Sequence, residues 1–171
     1  MLTTQSQTVQ EVLKSFILTP IKQPDILPTV LPLILGGLVI ELYFGKHTRE
    51  DLGWNTSVGN AIIWVTTGVT LLMTTPSLSR MEEYAAYSLI GTGIFIGYMD
   101  FYHKWSETVA FVVSSSGVVY TLAYIGVILI KTSTPINEVT LKASGIFFVA
   151  AMVGFKLLQS METPQDDFAL N

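Results

Sequence analysis

The residues best suited to chemistry in this chain are two carboxylates and two imidazoles. Glu41 is followed six positions later by His47, and Asp100 three positions later by His103. These are the two histidines of the sequence. Each pair also has an indole downstream, Trp54 and Trp105. Carboxylates and imidazoles gathered in one pocket relay protons or hold a divalent cation. Glu41, Asp100, His47, His103, Trp54 and Trp105 are therefore the candidate binding residues. A metal set is the weakest version, because only Asp100 and His103 stand one helix turn apart. Other chemistry is removed by what is missing. Without cysteine there is no thiolate nucleophile, Cys-ligated zinc, iron–sulfur cluster or disulfide. No GxxxxGK[ST], HExxH or GxSxG pattern occurs, so no catalytic residue and no cofactor is indicated.

The elements that must position these groups follow from composition. Of 171 residues only 13% are charged and 50% are hydrophobic, against roughly 25% charged in a soluble domain. The mean hydropathy is +0.52. Residues 53–79 and 108–130 carry no charge at all. A water-exposed surface needs polar groups, so the chain reads as an all-α integral membrane protein. A net charge of −4 without a basic cluster excludes a nucleic-acid partner; the partners expected are the lipid bilayer and other membrane proteins, or a second copy of the chain. Five apolar runs, 26–44, 58–75, 84–101, 109–130 and 139–158, each approach the ~20 residues that cross ~30 Å of hydrocarbon. They are continuous, not alternating, which argues against a membrane barrel. Five transmembrane helices in one bundle are expected.

Before them, Val9, Val12, Leu13, Phe16 and Ile17 share a helical stripe, opened by Thr8 and Glu11 as a capping box and stopped by Pro20. Residues 1–25 are thus read as a short amphipathic helix, lying in the interface or packed on its own bundle. Residues 26–158 form the membrane domain and 159–171 a polar, acidic tail. The start lacks the charged region and early apolar core of a signal peptide, so the first span should act as insertion signal. Pro32 should bend that span. Asn55, Thr56 and Ser57 are expected to cap the second helix, Ser79 with Glu82 the third, and Asn137 the fifth. Small residues mark helix contacts: Gly93 and Gly97, Ala150 and Gly154, and Ser114 to Gly117.

Two helix–loop–helix units echo each other. Glu41 corresponds to Asp100, Tyr43 to Tyr102, the Lys46–His47 couple to His103–Lys104, and Trp54 to Trp105. The chain then reads as parallel helix-hairpin repeats, with the acids collected on one side. A carboxylate within the membrane costs roughly 2.5–3.5 kcal/mol at the centre and less near the edge, so each acid needs a compensating group. Pairing with cations is the favoured expectation: Asp100 with His103 or Lys104, and Glu41 with Lys46 or Arg49 folding back, or else with a group on another helix. The alternative is a shared functional pocket in which the two acids and two histidines meet. The polar loop 45–60 suits a headgroup or a protein partner.

Basic residues hardly orient the bundle. Lys14, Lys22, Arg80, Lys131 and Lys142 lie on one side, and Lys46, Arg49, Lys104 and Lys156 on the other. The interfacial lysines Lys14 and Lys22 favour a cytoplasmic N-terminus with the C-terminus opposite. Small size and missing catalytic signatures point first to a structural or accessory subunit of a membrane assembly. A small transporter or channel-like protein comes second, and a membrane-embedded enzyme acting on lipid headgroups third.

Overall fold

The computed structural model describes residues 7–47 and 53–162, and every regular element among them is helical. Helix α1 (Val9–Lys22) opens on the expected capping box: Thr8 Oγ1 accepts from the Glu11 amide at 3.3 Å, and the Glu11 carboxylate accepts from the Thr8 amide at 2.7 Å. One 3-10 turn at Pro24–Ile26 leads into α2 (Leu27–Lys46), which runs through Pro32 as a single helix. Helix α3 (Trp54–Thr74) starts earlier than the sequence suggests. Its N-cap is Gly53, so Asn55, Thr56 and Ser57 are first-turn residues and not caps. Helix α4 (Arg80–Phe101) carries the second capping box, Ser79 with Glu82, and α7 (Glu138–Met161) starts on Asn137, whose Oδ1 accepts from the Thr140 amide at 3.0 Å.

The run expected as one helix over 109–130 is two, α5 (Glu107–Val113) and α6 (Ser116–Lys131), meeting at 41°. The cause is local. Serine hydroxyls compete with the helix for backbone partners, and here Ser115 Oγ donates to the Val112 carbonyl at 3.0 Å while Ser115 itself takes an extended conformation.

Among the described residues, three helices are long and apolar enough to cross a membrane: Pro24–Lys46, which takes in the 3-10 turn, Trp54–Thr74 and Glu138–Met161. The broken α5–α6 pair makes a fourth if it counts as one span. Helix α4 has the length, 22 residues, but not the apolarity, because even beyond its charged first turn it carries Tyr84, Tyr87, Tyr98, three glycines and Asp100.

The helices alternate in direction. Side chains near the C-terminal ends of α2, α4 and α7 meet side chains near the N-terminal ends of α3 and α6. At the other end, Lys131 closes α6 on α3 by donating to Thr74 at 3.0 and 3.1 Å. Helix α6 is central: it packs on α1, α2, α3, α4, α5 and α7, and buries Val119, Ala123, Val127 and Ile128 completely. Helices α3 and α4 form the most extensive pair. Inside lipid, such a pair is held by close backbone approach more than by water exclusion. A Cβ on Gly93 would lie 2.7 Å from Trp64 Cβ and 2.8 Å from the Ala61 carbonyl oxygen, so only glycine fits there. Gly97 is looser, with Ala61 Cβ at 3.5 Å, and Gly154 faces open space. The Ala150–Gly154 pair therefore does not serve the bundle's own packing, because Ala150 is exposed as well.

Helix α1 packs on α7 and α6. Val12 and Phe16 are buried, the Phe16 ring lies tilted against Phe147 with centroids 5.0 Å apart, and Tyr124 donates to the Phe16 carbonyl at 2.5 Å. Its apolar arc is wider than this contact, and Ile17 and Ile21 stay exposed.

Candidate functional site

The polar groups of the bundle converge on the break between α5 and α6. Ser114 ends α5, and its hydroxyl donates to Asp100 Oδ2 at 2.6 Å. Ser116 begins α6, and its hydroxyl donates to Glu41 Oε1 at 2.5 Å. The Ser114 carbonyl, freed by the break, accepts from Asn60 Nδ2 of α3 at 2.8 Å. Each carboxylate has a second donor. Trp105 Nε1 reaches Asp100 Oδ1 at 2.7 Å, and Gln159 Nε2 of α7 reaches Glu41 Oε2 at 2.6 Å. Gln159 in turn accepts from Lys156 Nζ at 2.9 Å. Asp100 is fully buried and Glu41 is 7% exposed.

These placements follow from the chain. Asp100 stands in the last turn of α4, and His103 takes a left-handed φ of 49°. That residue turns the chain back so that Lys104 N bonds to the Met99 carbonyl at 2.8 Å and the Trp105 indole returns to Asp100. Glu41 lies one turn before the end of α2. There the helix's own dipole disfavours negative charge, but the N-terminus of α6 arrives at Ser116 with the opposite sign. Charged acceptors on good donors give hydrogen bonds about twice as strong as neutral ones, which offsets burial of both anions.

Comparison with protein-family models, with curated proteins and with solved structures finds no match. The site must be read from its own geometry.

That geometry departs from cation pairing. Hydroxyl, indole and amide groups hold both acids, and neither Lys46 nor Lys104 pairs with them. Arg49 and most of the polar loop, residues 48–52, lie outside the described residues, as does the tail from 163. Among the described residues the ion pair is Lys142 with Glu138 at 2.6 Å, on the opposite face and exposed. The histidines are held by rings. His103 stacks on Trp54 with centroids 4.0 Å apart, and His47 packs on Tyr43 at 4.5 Å. No group of three His, Asp or Glu side chains that could hold a metal occurs among the described residues.

Trp105 joins the acid, whereas Trp54 caps the histidine of the other unit and meets Phe111 at 5.5 Å. Trp54 and Trp105, paired in the expected echo, thus take different partners. Sequence reasoning missed Asn60 and Gln159, and read the serines as a small, hydrogen-bonding surface without naming the acids as their acceptors. A signal was present: an amide early in an apolar helix and three successive serines inside another are both costly in hydrocarbon unless they meet partners.

Proposed function

We propose that this chain is a five-span membrane protein serving as a structural or accessory subunit of a membrane assembly. The span count rests on α4 as the fifth crossing. It runs antiparallel to α3 along its length, with Gly68 against Ala86 near one end and Gly97 against Ala61 near the other, so it shares α3's depth. Helix α1 rests in the interface, with Ile17 and Ile21 toward lipid. An odd number of spans puts the termini on opposite faces, with the N-terminus cytoplasmic. The hairpin-repeat reading is supported by Glu41 and Asp100, which take corresponding places and grip the two ends of one break. Reporter fusions at Gln5 and Phe168 should give opposite signals; the same compartment for both removes the five-span count.

One observation carries the functional reading: the polar junction is closed. Each carboxylate accepts two neutral donors from within the bundle, and the junction reads as a fastening for a broken helix. A surface for partners is available elsewhere, because α7 buries only Thr140 and Ala143. A photo-crosslinker at Val149 or Val153 in native membranes should trap a different membrane protein. A chain that runs alone there, and moves ions by itself in liposomes, overturns the proposal.

A second reading has one observation in its favour. A discontinuous helix beside buried acids is how many transporters hold cations. The α3–α4 register brings Ser57 to the level of Asp100, and its fully buried hydroxyl has no hydrogen-bond partner among the described residues. Sodium- or pH-dependent thermal stability, lost in Asp100→Asn, would favour that reading over a plain fastening.

A further inference from the structure

Helices α2 and α7 form a crevice that α1 wedges open. Toward the polar junction they touch: a Cβ on Gly45 would lie 2.8 Å from Gln159 Cα. Toward the other end they part, and Phe16 of α1 occupies the gap beside Phe147 and Tyr124, whose own rings are 5.8 Å apart. Between the wedge and the closed end lies a cavity of about 410 Å³. Leu38 of α2, Ala151 and Phe155 of α7, and Ile21 of α1 line it, with Tyr120 and Thr121 of α6 as floor. It reaches from Leu33 to Leu38 along α2, roughly 9–17 Å from that helix's start at 1.5 Å per residue. That is hydrocarbon depth if α2 spans.

Two features say what fills it. The lining is apolar except for hydroxyls, among them those of Tyr120 and of Thr121, which is only 5% exposed. A mostly apolar pocket with one orienting polar group fits a long apolar ligand carrying a hydrogen-bonding group. In addition, the lining segment of α1, Phe16 to Ile21, is flanked by exposed Lys14 and Lys22. Glu11, the acid of the same helix, is already engaged in the capping box at its far end. The two lysines bracket the lining segment of α1, with Asp25 the nearest acid beyond Lys22 in the following turn. We propose that this crevice holds one acyl chain of an anionic phospholipid, with its headgroup at Lys14 and Lys22. The lipid completes the contact of α1 with the bundle and makes the wedge helix a sensor of anionic lipid.

The full chain is reconstituted in vesicles of equal phosphatidylglycerol and phosphatidylcholine, extracted in mild detergent and weighed by native mass spectrometry. The expected result is one retained phospholipid, enriched in phosphatidylglycerol. Ala151→Trp, filling the cavity, should cut occupancy by about tenfold, the loss that excluding two methylenes of contact produces. Lys14→Gln with Lys22→Gln should keep a lipid bound but remove the preference. Leu38→Trp serves as a second filling variant if Ala151→Trp loses helicity. A bare wild-type chain, a lipid-free dimer, or unchanged occupancy in a folded filling variant overturns the proposal, and equal retention of both lipids overturns its headgroup part.

Discussion

Asp100 and Glu41 hold the two ends of one helix break through partners of very different reach. Asp100 is served by Trp105 and Ser114, five and fourteen residues away, all within the corner from α4 to α5. Glu41 is served by Ser116 and Gln159, 75 and 118 residues away, so α2, α6 and α7 must all be docked before its charge is met. The Asp100 half lies within the α4–α5 corner, whereas the Glu41 half is a tertiary fastening that joins three helices. It is also the half that touches a cation, though only through an amide, since Lys156 donates to Gln159 and Gln159 to Glu41.

The largest effect should come from the fully buried acid. Asp100→Ala strands the Trp105 indole and the Ser114 hydroxyl at 1–3 kcal/mol for each unsatisfied group, a loss of about 4 kcal/mol in thermal or denaturant unfolding. Asp100→Asn, which keeps an acceptor for one donor, should cost about half as much. An Asp100→Ala protein as stable as the parent would break the comparison at its stronger side.

Next comes the seam that delivers Asp100 to its place. Gly93→Leu forces side-chain atoms into the Ala61 carbonyl and Trp64 and should cost about 3 kcal/mol, seen as lost yield and lower Tm. Gly97→Ala, in ordinary contact, and Gly59→Leu, with nothing within 4 Å, should change Tm little. Equal damage at all three would mean that α3 and α4 do not pack closely.

Glu41→Gln is expected to cost about 2 kcal/mol, because an amide keeps the size but sets an N–H against a donor. The smallest effect belongs to Lys156→Met. Lys156 is exposed and acts through Gln159, so a few tenths of a kcal/mol should be lost, and less at high salt. A large loss would make the cation a principal partner and narrow the difference between the halves.

Much of the fold was legible because its signals are local. The Thr8–Glu11 and Ser79–Glu82 boxes start α1 and α4 as spacing requires, and most of each long charge-free run is helical. The break at Ser114–Ser115 was not legible as a break, because three serines read equally well as a small, hydrogen-bonding face of one continuous helix. The acids were found by their cost in hydrocarbon; their favoured partners were assigned by charge, and a group on another helix was left open for Glu41 without naming it. Hydrocarbon-depth carboxylates need donors, and neutral donors brought from 75 and 118 positions away leave no trace in local spacing. Likewise α1's stripe could not say which residues it buries: Phe16 is inside while its neighbour Ile17 is 62% exposed, a choice made by the gap between α2 and α7.

The central claim, that neutral donors and not cations hold these acids, is tested most directly by a double-mutant cycle at Glu41. Exchanging the two groups, Glu41→Gln with Gln159→Glu, keeps an acceptor facing an amide donor and sets a carboxylate beside Lys156. Thermal unfolding should show each single variant destabilised and the pair recovering about 1–2 kcal/mol, while Glu41→Gln with Lys46→Met is additive. Additivity with Gln159, together with strong coupling to Lys46, would contradict the account and return Glu41 to an ion pair.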